Sequence, residues 1–327
     1  GAGTVDRFAQ AYSGENEYPT QAQVDVAAGT TPYTKGLTKA FKVTNGNQTG
    51  GAGTADYMLI YTTLEAQDIR NSGWNYTSNT DYISLSFWVK SSVAQNFYGR
   101  LNTSDGTSQN YVFETGSLTA NTWTKITKTI PGDSNLTFDN DSGSGLMLEL
   151  MLFRGTDQTG TRPLNAWAAH DNGTRSPDAT STWWTTNDAT FELTGVQLET
   201  GSAVTEYENR TYHDELQRCK RYYNRWQEGN AKYLGTTSYQ YNSSVLIASF
   251  HFSPEMRATP SLDTANGTNY FVNYQTGSGT NFSAIGSINS MSSKGGNANS
   301  TVSGTAGDAG AIYLNNANSY VAFDADF

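Results

Sequence analysis

A single cysteine in 327 residues excludes any disulfide framework within the chain, so its core is held by packing. Cys219 itself is expected to behave as a small buried hydrophobe. Charge is scarce too. Asp, Glu, Lys and Arg make up 15% of the sequence, well below the usual quarter, and Ser, Thr, Asn and Gly carry the polarity instead. The charge that is present sums to −10, which leaves no basic face for phosphate and argues against a nucleic-acid partner. No stretch reaches the roughly 18 apolar residues of a spanning helix, and no Lys-led apolar leader opens the chain. Membrane insertion is therefore not expected. The chain opens Gly1-Ala2-Gly3 rather than with Met, as a processed product or a piece of something longer would.

The usual catalytic signatures are also missing. The three histidines, His170, His213 and His251, stand in separate contexts, and none falls in a zinc-binding spacing. There is no Gly-x-Ser-x-Gly elbow, no Gly-rich phosphate loop and no repeat of the length a β-helix needs. The segment DNDSGSG from Asp139 begins like a calcium loop but has Gly143 fifth and Leu150 twelfth, where a ligand and a Glu belong. It reads as a polar turn, with a structural calcium ion as the alternative. A glycosidase needs two carboxylates at a set separation of about 5 to 9.5 Å, which sequence does not fix. The expectation is a non-enzymatic protein with no catalytic residue, no metal site and no cofactor.

Aromatics are abundant at 13%, with 20 Tyr, and with the many Gly, Asn and Ser they favour strands and turns. Alternation with period 2 recurs up to about residue 205. In YISLSFWVKSS, Ile83, Leu85, Phe87 and Val89 share one face, while Ser84, Ser86, Trp88 and Lys90 share the other. GLMLELMLF sets Leu146, Leu148, Leu150 and Leu152 against Met147, Glu149, Met151 and Phe153, so this strand is expected to be covered on both faces. A strand in TKITKTIPGD stops at Pro131-Gly132, and Gly195 interrupts ATFELTGVQLE as a bulge would. Asn45-Gly46, Asn172-Gly173 and Asn266-Gly267 are candidate hairpin turns. The fold class is all-β: a jelly-roll β-sandwich over 1–205, a linker with a short amphipathic helix over 206–231, and a smaller C-terminal β domain over 232–327.

The middle segment is unusual. Eleven charged residues fall in the 27 positions from Glu206 to Lys232, against 39 in the other 300. From His213 to about Gln227, Leu216, Cys219, Tyr223 and Trp226 recur at spacings of 3, 4 and 3, the pattern of a helix seam. Asp214 and Glu215 suit the first turn, Arg225 the last, and Gly229 a stop. A helix this short must dock its stripe, either on its own domains or against other subunits.

Saccharide recognition needs an aromatic plane beside groups that hydrogen-bond hydroxyls. The segment 154–188 holds such a mixture in Arg154, Asp157, Trp167, His170, Asp171, Arg175, Trp183 and Trp184; Trp74 and Tyr76 form a second group. The candidate glycan-binding residues are thus Trp167, Trp183, Trp184, Arg154, Asp171, Trp74 and Tyr76. Core packing is the competing role for each tryptophan.

Several blocks resemble bacteriophage tail-fibre proteins of the marine and cyanobacterial type: TVDRF, LSFWVKSS, NTWTKITKTIPGD, ATFELTGVQLETGSAVTEYENRTYHDELQRCKRYY and PEMRATPSL. The resemblance is densest from Ala189 to Tyr223 and ends by Leu262. This chain has Glu206-Tyr207 where that family often has Pro-Phe, and Lys220 where it commonly has Gln. The resemblance implies a carbohydrate-binding-module-like jelly roll followed by a variable tip. It also implies a homotrimeric fibre on the virion tail or head, with Leu216, Cys219, Tyr223 and Trp226 as the subunit contact, joined to other fibre or tail proteins and meeting host surface polysaccharide. The alternatives are a carbohydrate-binding module of a secreted hydrolase and a head-fibre or decoration protein with no ligand.

Overall fold

The computed structural model describes residues 7–327, so Thr4, Val5 and Asp6 of the TVDRF block lie outside it. The chain is mostly β and divides into two compact units, Gly1–Asn209 and Arg210–Phe327.

In the first unit the strands are β1 (Ala9–Ser13), β2 (Thr20–Asp25), β3 (Lys39–Thr44), β4 (Tyr57–Glu65), β5 (Tyr82–Ser91), β6 (Asn96–Thr103), β7 (Gln109–Ser117), β8 (Thr124–Pro131), β9 (Ser144–Arg154), β10 (Trp167–Ala169) and β11 (Thr190–Thr200). They form two antiparallel sheets, ordered β1-β4-β9-β6-β7-β10 and β2-β3-β11-β5-β8. Sequence neighbours repeatedly fall in opposite sheets, the crossing pattern of a jelly-roll sandwich. Strand alternation explains the core. Ile83, Leu85, Phe87 and Val89 of β5 are all buried, as are Leu146, Leu148, Leu150 and Leu152 of β9, and they meet in one hydrophobic cluster. Glu149 and Met151 on the other face of β9 are buried as well, which makes β9 a strand covered on both sides. Gly195 (φ +61°) lies in the register shift between Thr194 and Gln197, and a Cβ there would come 2.5 Å from Leu37. The bulge needs glycine on both counts.

Asn45-Gly46 is not a hairpin turn, because β3 and β4 belong to different sheets. Asn45 is buried and its side-chain amide donates to the Trp184 carbonyl at 2.6 Å and the Trp183 carbonyl at 3.2 Å. Asn266-Gly267 likewise links strands of different sheets.

The second unit opens with the helix Tyr212–Lys220. Thr211 caps it, accepting the Asp214 N–H at 3.2 Å, with Asp214 and Glu215 in the first turn and Arg218 and Lys220 in the last. Those charges complement the helix dipole and account for much of the local charge density. The helix is shorter than its heptad-like spacing predicts. Residues Tyr223–Glu228 form strand β12, paired with the C-terminal strand from Asp324 to Tyr320. Tyr222 and Asn224 are buried while Tyr223 and Arg225 are exposed, a period of 2. Leu216, Cys219, Tyr223 and Trp226 therefore do not form one stripe. Trp226 packs within the unit, its ring 5.3 Å from Phe250 and its Nε1–H donating to the Leu234 carbonyl at 2.9 Å. Leu216 and Cys219 are half-buried on the helix.

The remaining strands are β13 (Lys232–Tyr233), β14 (Ser238–Asn242), β15 (Val245–His251), β16 (Ser261–Thr264), β17 (Phe271–Gln275), β18 (Ser278–Phe282), β19 (Ile288–Ser292), β20 (Gly295–Thr301), β21 (Ala309–Leu314) and β22 (Tyr320–Asp324). β12, β22 and β16 make a small sheet; the rest make one larger sheet, with β13 paired to β21. Leu246, Phe250, Phe271, Ile312 and Leu314 face the core of this unit. The opposite face differs in kind. The register places Tyr233 and Val272 beside Tyr313, Asn281 beside Val272, and Asn299 beside Ile247, which is itself beside Tyr239. None of these residues carries a charge. Tyr233, Tyr274 and Tyr313 touch ring to ring at 5.1 to 6.2 Å, and Tyr233, Tyr239 and Tyr274 are exposed.

Candidate functional site

The candidate tryptophans separate by burial. Trp183 and Trp184 sit on the single helical turn Thr182–Thr185, and both are 0% exposed. Their indole N–H groups donate to the carbonyls of Thr190 at 3.1 Å and Gly51 at 2.8 Å, and Trp184 stacks on Phe153 at 5.2 Å. No ring face is left for a ligand, so these two are core residues, corrected from the sequence expectation. The cause is the buried Asn45 amide, which ties their backbone to the sandwich. Trp74 is also buried, with Tyr76 and Phe138 around it. Tyr76 is half-buried, edge-on to Phe138 at 5.0 Å. That pair is a packing group.

Trp167 is different. It is half-buried in β10, the edge strand of the six-stranded sheet. Its Nε1–H donates to the Pro131 carbonyl at 2.7 Å, and its ring lies 5.5 Å from Tyr111. The ring also packs against the hydrophobic core, and Trp167 lines an open depression of ≈ 440 Å³ with Thr107, Gln109, Asn135, Thr137, Ala168 and Ala169. One aromatic ring, two amides and two hydroxyls around an open space suit a hydroxyl-rich ligand. Gln109, Asn135 and Thr137 carried no sequence signal, being ordinary turn and strand residues. Only the folded edge gathers them.

Residues 155–178 carry β10 and lie beside the six-stranded sheet, next to its outer face, the one away from the core. The Asn165 N–H donates to the Val112 carbonyl at 2.7 Å, and Thr159 pairs with Ser176. Cross-strand pairing sets Arg100 opposite Glu149 on that face. Arg100 grips Glu149 with Nε–H to Oε2 at 2.9 Å and Nη2–H to Oε1 at 2.6 Å, and donates from Nη1 to Asn110 Oδ1 at 3.1 Å. Arg154, 2% exposed, places Nη2 3.5 Å from Glu149 Oε2, and its other terminal nitrogen donates to Gln158 Oε1. Burial pulls its guanidinium down to about 10, with Glu149 opposing the shift. Arg162 Nη2 donates to the Ala168 carbonyl at 3.0 Å, and Arg175 Nη2 to Asn172 Oδ1 at 2.7 Å. Both are half-buried, and burial lowers both guanidinium pKa values. Asp171 is exposed, accepting from Thr174 Oγ1 and the Gly173 N–H, each at 2.8 Å, and those bonds lower its pKa. His170 bridges Asn110 and Asn172 at 3.0 and 3.1 Å. Arg154 and Asp171 thus belong with the arginine cluster, and Trp167 with the depression.

The Asp139 turn satisfies itself, with the Gly143 N–H on Asp141 Oδ1 at 2.8 Å and the Asp139 N–H on Asp105 Oδ2 at 3.0 Å. Among the described residues, no helix is long and apolar enough to cross a membrane.

The fold and site define a two-unit all-β protein whose N-terminal sandwich carries a polar, aromatic-walled depression. No protein-family model matches the chain, and no curated protein matches it in sequence. Solved structures show distant similarity. The enzymatically active domain of bacteriophage CBA120 tailspike protein 4 aligns with 61% of this chain and 20% of its own length, at 7% identity and a TM-score of 0.33. The family 11 carbohydrate-binding module of the Clostridium thermocellum cellulase Lic26A-Cel5E aligns with 60% of this chain and 89% of its own, at 13% identity and a TM-score of 0.30. The N-terminal tandem of two carbohydrate-binding modules from Paenibacillus barcinonensis Xyn10C covers 99% of this chain and 93% of its own, at 10% identity and a TM-score of 0.29. This chain spans a fifth of the tailspike domain it matches.

Proposed function

We propose that the chain is a non-enzymatic subunit of a phage virion fibre that attaches to host surface polysaccharide through the Trp167 depression. The observation that carries the binding reading is Trp167 itself: the one candidate tryptophan that is half-buried and lines the depression, with Thr107, Gln109, Asn135 and Thr137. Neutral hydroxyls match those amides and hydroxyls without the cost of stripping water from a charge. The fibre assignment is supported by the sequence resemblance from Ala189 to Tyr223. Weak binding at each site would be strengthened by several copies on one fibre.

The reading includes a homotrimer, and the uncharged tyrosine face of the larger C-terminal sheet is its contact. A chain of net charge −10 is on average repelled by its own copies. Copies meet at least cost where a broad face holds tyrosines and amides and no charge, a composition common at interface centres. The occupant is a second copy of this chain.

An array of bacterial capsular and lipopolysaccharide glycans tests the attachment. The reading requires retention of at least one glycan by the intact chain, with no release of reducing ends. Reducing-end release would replace fibre attachment with depolymerisation, and failure to retain any glycan would remove the attachment function.

A further inference from the structure

Four arginines gather beside the six-stranded sheet: Arg100 and Arg154 on Glu149, Arg175 through Gln158, which accepts its backbone N–H and the Arg154 side chain, and Arg162 on the Ala168 carbonyl of β10. Beside them stand Glu149 beneath and Asp171 at the surface, with Glu114 and Asp178 farther along the same face around Tyr98. Glu149 is already occupied by two hydrogen bonds from Arg100. Asp171 is occupied by Thr174 and Gly173. Four guanidiniums are thus gathered in one place on a chain whose net charge is −10.

The cluster is also short of acceptors. Arg154 Nε, Arg162 Nε and Arg175 Nε are buried and have no hydrogen-bond partner, and Arg154 Nη2 has only its 3.5 Å ion pair with Glu149. Buried donors of this kind are ordinarily paired, and like charges held together in a low-dielectric site raise each other's cost. An anion held by Arg162 and Arg175 offsets the like charge and gives those two guanidiniums an acceptor. Guanidinium is the side chain best matched to carboxylate and sulfate, through its planar fork of donors.

We propose that this cluster binds the carboxylate or sulfate of an acidic polysaccharide, with Arg162 and Arg175 as the contacting groups. Arg100 and Arg154 lie beneath them and supply field rather than contact. The inference rests on the saccharide-binding reading above and names its substrate class. The two sites adjoin through β10: Ala168 lines the Trp167 depression and its carbonyl accepts from Arg162. Because the whole chain is negative, long-range attraction would not bring a polyanion to it. Binding of a polyanion would therefore report a local site.

The test compares neutral dextran, dextran sulfate and alginate against the full chain by titration calorimetry, with Arg162→Gln and Arg175→Gln made singly and together. Both side chains are half-buried, so near-ultraviolet circular dichroism can confirm that each variant keeps its fold. The expected result is binding of an acidic polymer at least roughly tenfold tighter than dextran, reduced by roughly tenfold or more in the double variant and weakened by salt. Preference for alginate assigns a uronic carboxylate, and preference for dextran sulfate a sulfate ester. Acidic binding that persists unchanged in the double variant overturns the inference. Equal binding of dextran overturns it while leaving saccharide attachment intact. If none of these polymers binds, the anion site falls, and the glycan array decides the attachment reading separately.

Discussion

Arg100 and Glu149 face each other across β6 and β9 and are joined by two hydrogen bonds, at 2.9 and 2.6 Å, with both side chains about 5% exposed. A buried carboxylate so held neutralises the guanidinium beside it, and Arg154 leans on the same group at 3.5 Å. Glu149→Gln strands two buried guanidiniums. The expected loss is about 3 to 5 kcal/mol of stability, read as a fall in the denaturant midpoint of the N-terminal unit. A loss below about 1 kcal/mol would mean that the pair is solvated.

Trp184→Ala is a test of core membership. A fully buried Trp removed from a packed cluster costs about 3 to 5 kcal/mol, and Asn45→Ala should destabilise the same region by removing the side-chain donor that the Trp183 and Trp184 carbonyls share. Thermal unfolding measures both. A conservative Trp184→Phe variant that stays folded should retain whatever glycan the wild type retains.

The second unit should lose stability in alkali. The Tyr223 and Tyr320 hydroxyls both donate to Asp263, at 2.8 Å each. For Tyr223, burial and then that carboxylate raise the phenol pKa above 10.0; for Tyr320, the Asp263 bond comes first and burial second. A raised folded-state pKa stabilises the fold fully below the unfolded value. That contribution is lost as pH rises through 10 toward the folded value. Urea midpoints between pH 8 and 11 should fall more steeply for the wild type than for Tyr223→Phe with Tyr320→Phe. Equal slopes would refute the shared-carboxylate account.

Light scattering on the intact chain tests the tyrosine face. A mass of three chains that drops to one in Tyr239→Asp with Tyr274→Asp is expected, since buried carboxylates on an interface are strongly unfavourable. The pair Leu216→Asp and Cys219→Ser on the helix should leave the mass at three. The opposite pattern would return the contact to the helix.

Much of the N-terminal sandwich was legible in sequence because period-2 alternation maps directly onto strand faces. Ile83, Leu85, Phe87 and Val89 are buried as their spacing implies, and Glu149 and Met151 show why β9 reads as apolar on both sides. The helix was half legible. Asp214 and Glu215 stand in its first turn as expected, but Arg225 and the Gly229 stop lie beyond its end, because the 3-4-3 spacing ran on into β12, where pairing with β22 overrode it. Tyr222, Asn224 and Trp226 alternate there, and that weaker period was the true one. The site was least legible. Trp183 and Trp184 look like ligand-stacking residues in a polar loop, and only the Asn45 amide and the Gly51 and Thr190 carbonyls make them core. Arg100 and Glu149 gave no motif, because two charges on separate strands acquire meaning only through register.

The most direct measurement is the affinity of the intact chain and of Trp167→Ala for a glycan retained on the array, with unfolding followed in parallel. The account predicts that Trp167→Ala stays folded and loses roughly tenfold or more of its affinity, because stacking and the wall of the depression go together. Unchanged affinity in a folded Trp167→Ala protein would contradict it.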